Sequence, residues 1–161
     1  MSRLTENEKA ELQHQVSAAL RKARQWRYPV LLVIGSWRHM DESFWKKFAE
    51  LAGLAFVDMI EAAQRPDFQE AARVWPTAVD WLRGQAAAAG GIVAYDVDAI
   101  VTKWGNEARE RFFARLLRSE TRLPGSAEAA VIVVPTVLAG AFGWRREERE
   151  RGIILHLGAL E

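Results

Sequence analysis

Along this chain the apolar residues alternate between helical spacing and short unbroken runs. Leu12, Val16, Ala19, Leu20 and Ala23 recur three and four residues apart, which predicts an amphipathic helix over about 5–25. Thr5-Glu-Asn-Glu8 stands in front of it in the form of a capping box. Tyr28-Pro29 ends this N-terminal segment, residues 1–27, and Val30–Ile34 follows as a continuous aliphatic run between Pro29 and Gly35. A strand covered on both faces shows no polar alternation, so this run predicts a buried parallel strand. Gly35–Asp41 reads as a loop. Phe44, Trp45, Phe48, Leu51 and Ala52 then mark a second helix, which stops near Gly53.

The second half repeats the pattern. Leu54–Ile60 is read as a strand and Glu61–Arg73 as mixed helix and loop around Pro66. Pro76 suits the first turn of a helix that Val79, Leu82 and Ala86–Ala89 continue to Gly90-Gly91. Ile92–Asp96 is a strand ending in an acid, followed by a short loop and a helix over Asn106–Glu120. Pro124-Gly-Ser126 is a turn, and Ala130–Val134 and Ile153–Leu157 are further aliphatic strands. Val30–Ile34, Ile92–Tyr95, Ala130–Val134 and Ile153–Leu157 are expected to be central and buried. Strands separated by helices predict an α/β domain of three layers: a mainly parallel five-stranded sheet with helices on both faces. At 161 residues, without repeat, linker or low-complexity tract, the chain is expected to be one domain.

Composition narrows the function classes. A net charge of +1 gives no strong electrostatic footprint for nucleic acid or an anionic membrane. The chain has no cysteine, which excludes disulfides, thiol catalysis and cysteine-based zinc sites and fits a cytoplasmic setting. The polar start is no signal peptide, and the apolar runs fall short of the roughly 18 residues of a membrane span. The seven tryptophans are spread along the chain, as core and interface packing would have them.

Three groups of residues are candidates for chemistry. Gly35-Ser-Trp-Arg-His-Met-Asp41 occupies the place of a phosphate loop, where Gly35, Ser36 and Arg38 would meet a nucleotide. Such a loop needs several glycines to bring N–H groups round the phosphates and a lysine to reach their oxygens. Here a single glycine and the bulky Trp37 stand instead, and no G-x-x-x-x-G-K-[ST] occurs in the chain. The alternative is an ordinary turn in which Ser36 or Asp41 caps the next helix. Asp96 and Asp98 share a face if the strand continues through both, which suits a divalent cation; acids at strand ends also serve simply to cap the next turn. Arg111, Arg115, Arg118 and Arg122 lie along one stripe of a helix, beside an apolar face of Phe112, Phe113, Leu116 and Leu117. The stripe is a partner surface, a nucleic-acid contact, an arginine finger or a solvated face partly neutralised by Glu107, Glu110 and Glu120. His14, His39 and His156 are isolated, and neither G-x-S-x-G nor H-E-x-x-H is present.

The succession Ile92–Ile100, Arg109–Leu117 and Ala130–Pro135 resembles the third strand, following helix and fourth strand of AAA+-type P-loop ATPases. Over roughly residues 28–158 the layout is also similar to that of the small P-loop protein of BREX-type phage-defence systems. The resemblance implies a P-loop-like fold with Asp96 at the position of the acid that helps hold Mg²⁺. Gly35–Asp41 departs from the family, which puts ATP hydrolysis in doubt. The expected function is therefore non-catalytic: a degenerate P-loop subunit with no cofactor that binds a protein partner, with nucleic acid reached through the complex and no membrane contact. The competing expectation is an ATPase with an atypical loop, placing Ser36 and Arg38 on phosphates and Asp96 on Mg²⁺, or a nucleic-acid-binding accessory using the arginine stripe.

Overall fold

The structure is a computed structural model that describes residues 4–25, 30–117, 129–135 and 153–157. Helix α1 spans Glu6–Arg24, and its start is the expected capping box: the Thr5 side chain accepts from the Glu8 amide while the Glu8 carboxylate accepts from the Thr5 amide. Strand β1 is Val30–Gly35, followed by a 3₁₀ turn over Trp37–His39 and helix α2 over Glu42–Ala52. Asp41 caps α2 by accepting from the Phe44 amide, and Gly53 ends it in the left-handed conformation that glycine adopts without cost. The second strand, β2, is only Ala55–Asp58, because the Asp58 carboxylate turns back onto the Ile60 amide and starts the short helix α3, Met59–Ala62. Helix α4 is Pro66–Ala71, and α5 is Trp75–Ala89 with Pro76 in its first turn.

Strand β3 is Ile92–Tyr95. The expected loop after it contains a further helical turn, α6, over Asp98–Val101. Helix α7 runs Asn106–Leu117, β4 is Ala130–Pro135 and β5 is Ile153–His156. The expected end of α7 at Glu120 and the turn at 124–126 lie outside the described residues.

The five strands form one sheet, ordered β2-β3-β4-β1-β5, with every pairing parallel. The chain steps outward from β1 to β2 and then returns through β3 to β4. With right-handed crossovers, that reversal puts α2, which precedes it, on one face and α5 and α7, which follow it, on the other. The core divides accordingly. On one face Leu31 and Val33 pack with Leu12, Val16 and Leu20 of α1 and with Trp45 and Phe48 of α2. On the other, Leu32 and Ile34 pack with Val79 and Leu82 of α5 and with Phe112, Phe113 and Leu116 of α7. The expected three layers are present. One expectation is corrected: among the described residues β5 is an edge strand, not a central one, pairing with β1 alone, and its His156 is exposed.

Candidate functional site

In open α/β sheets ligands bind beyond the carboxyl ends of the strands, where neighbouring connections leave toward opposite faces. Here β1 and β3 flank β4. The chain leaves β1 for α2 on one face and β3 for α7 on the other. The candidate residues Gly35, Ser36, Arg38, Asp96 and Asp98 all lie at this edge.

The turn after β1 is closed on itself. The Ser36 N–H donates to Nδ1 of His39 at 2.9 Å, and Ser36 Oγ lies 3.1 Å from the same nitrogen. An Nδ1 that accepts from an amide carries no proton, so these contacts assign the neutral Nε2–H tautomer. The ring lies on Gly35 so closely that a β-carbon there would stand 2.8 Å from His39 Cβ and Nδ1. The Trp45 indole N–H donates to the His39 carbonyl at 2.7 Å and holds the turn from α2. His39 is 5% exposed, and its burial holds the imidazole pKa below the ordinary 6.5. Arg38 points back to α1, where Nη2 donates to Glu8 Oε1 at 2.9 Å, and its side chain is 8% exposed. Trp37 lies on the outer side of the turn and is 59% exposed.

Next to this turn the sheet edge is acidic. The Tyr95 hydroxyl donates to the Met40 carbonyl at 2.8 Å. Its pKa is pushed up to about 12, first by burial and then by Glu42, Asp41, Asp58 and Asp98. Strand β3 ends at Tyr95, and Asp96 takes a left-handed conformation with φ 66°. Asp98 falls in the first turn of α6. The strand alternation that would set the two carboxylates on one face therefore stops before either residue. Asp98 Oδ1 is a buried oxygen with no hydrogen-bond donor among the described residues. Among the described residues no group of three His, Cys, Asp or Glu side chains is arranged to hold a metal ion.

The arginine stripe lies elsewhere. Arg111 and Arg115 are exposed on α7, on the opposite side of the helix from buried Phe112, Phe113 and Leu116. Arg111 Nη2 pairs with Glu107 Oε1 at 2.7 Å. Arg118 and Arg122 fall outside the described residues. Three features of this edge escape a reading by motif: the His39 contact with Ser36, the buried Tyr95 hydroxyl and the exposure of Trp37. The spacing of Ser36 and His39 carried the signal, since S-x-x-H has the form of a capping box with imidazole in place of carboxylate.

The fold is an α/β domain with a parallel five-stranded sheet, compatible with a P-loop-like architecture. No protein-family model, curated protein or solved structure matches the chain. No helix among the described residues is long and apolar enough to cross a membrane.

Proposed function

We propose that this chain is a non-catalytic, P-loop-like subunit that acts by binding another protein. The observation that carries the reading is the closed turn after β1. A phosphate site needs free backbone N–H groups and a mobile cation at this place. Here the Ser36 N–H is bonded to His39, and Arg38 is folded back onto Glu8. The residues of the turn thus do not fit a nucleotide phosphate. The four carboxylates around Tyr95 oppose an anion further. What the turn does offer is Trp37, a residue type enriched among the anchors of protein interfaces. On the layout resemblance alone, the partner belongs to a phage-defence complex.

Calorimetry with Mg²⁺-ATP tests the reading. The expected result is no binding at millimolar nucleotide. Micromolar affinity that Asp96→Ala abolishes would overturn it in favour of an ATPase with an atypical loop.

A further inference from the structure

We propose that His39 is a pH-operated latch: neutral, its Nδ1 holds the Ser36 amide and closes the turn that presents Trp37; protonated, it releases that turn while the sheet beneath stays paired. The inference stands on geometry and does not depend on whether the chain binds a partner. Nδ1 lies 2.9 Å from the Ser36 nitrogen, which is a donor. A proton on Nδ1 takes the lone pair that holds the Ser36 amide: Ser36 Oγ, 3.1 Å away, can accept the new hydrogen, but the amide N–H is left facing an N–H with no acceptor, and attraction there becomes repulsion. The ring has no room to turn in place, because it sits against Gly35 and is almost wholly buried. Protonation therefore moves the ring outward and takes the 3₁₀ turn, with Trp37, along.

The groups around the ring fix the direction of the response. From α1, Glu8 favours the imidazolium; from the turn itself, Arg38 opposes it; and burial opposes it most strongly. From α2 the contact is the uncharged Trp45 indole, made to the His39 backbone. From β3 the Tyr95 hydroxyl binds the neighbouring Met40 carbonyl and stays neutral throughout the acid range. The net effect holds the imidazole neutral at pH 7, so release falls below pH 6.5. Strand β1 is paired on both sides, with β4 and β5, and none of those bonds involves the imidazole. The sheet thus has no reason to open with the turn.

Amide hydrogen exchange on the intact chain tests this, with rates normalised to the intrinsic rate at each pH. Between about pH 7.5 and pH 5, protection of the Ser36 amide is expected to fall more than about tenfold while the amides of Leu31–Ile34 keep theirs. In His39→Asn the carboxamide oxygen takes the place of Nδ1 as an acceptor that does not titrate, so Ser36 protection should become independent of pH. Unchanged Ser36 protection in the wild type would overturn the proposal. So would joint loss of protection at Ser36 and β1, which is acid unfolding and not a latch. If His39→Asn does not fold, ¹⁵N shifts of the wild-type imidazole decide: an unprotonated Nδ1 at pH 7 supports the latch, and a protonated one refutes it.

Discussion

Gly35 and His39 form the tightest contact of the site, and they are a pair in the energetic sense. A methyl group at position 35 would meet the imidazole at 2.8 Å, a distance that no packed carbon tolerates. Gly35→Ala is therefore expected to lower stability by about 1–3 kcal/mol, the usual cost of overpacking. Urea unfolding checks it, and a double-mutant cycle locates the cause. On a His39→Gly background, where both the ring and the His39 β-carbon are absent, the added methyl should cost much less, and the difference is the coupling between the two residues. Tyr95 provides a second residue-scale test, through pH. Its hydroxyl is neutral in the fold up to about 12, whereas a free tyrosine ionises near 10.0. The linked stability is thus fully present below pH 10 and is lost as pH rises through about 12. Tyr95→Phe should cost about 1 kcal/mol at neutral pH, because the Met40 carbonyl loses its donor. It should also flatten the decline in stability between about pH 10 and the folded-state value of about 12, relative to wild type.

At the scale of elements the sheet has a centre and two edges, and they will not respond alike. Ile132 in β4 is fully buried and pairs with Leu32 on one side and Ala94 on the other. Ile132→Asp puts an unpaired charge there, at a cost of several kcal/mol or more, and is expected to abolish the cooperative melt. A melt near the wild-type midpoint would refute the central placement of β4. The apolar run at 130–134 is by itself enough to identify this strand. The run at 153–157 looks the same in sequence, yet β5 lies at the edge: the apolar period reports burial, whereas position in a sheet is decided by which strand pairs with which. Strand β2 is shorter than Leu54–Ile60 because Asp58 prefers to cap α3. Helix α6 is invisible in the sequence for a different reason, since four residues are too few to show a period. The site is legible by position and not by contact. The pattern of strands and loops puts Gly35, Ser36 and the two aspartates at the carboxyl edge of the sheet. His39 looks isolated in the sequence, because only the 3₁₀ turn brings it back over Gly35.

For the whole molecule, the proposed binding of a partner has two candidate surfaces, and the fold separates them. Trp37 stands at the carboxyl edge of the sheet, while Arg111 and Arg115 lie on the outer side of α7, which covers the face opposite α2. Exposed ion pairs such as Arg111 with Glu107 contribute little, so Arg111→Gln/Arg115→Gln should change stability by about 0.5 kcal/mol or less. With a net charge of +1 there is little long-range attraction for a polyanion, and the wild type is expected to show no salt-dependent affinity for DNA. Trp37→Ala should likewise leave the melt nearly unchanged, because the side chain is mostly solvated already. The two variants part company in binding. Once a partner is in hand, loss of the complex in Trp37→Ala with retention in Arg111→Gln/Arg115→Gln would place the interface at the sheet edge, where the His39 latch governs it and acid should weaken it. The reverse pattern would place the interface on α7, and binding should then not respond to the state of His39. Because neither surface forms part of the core, both variants remain folded, and the loss of binding reports contact alone.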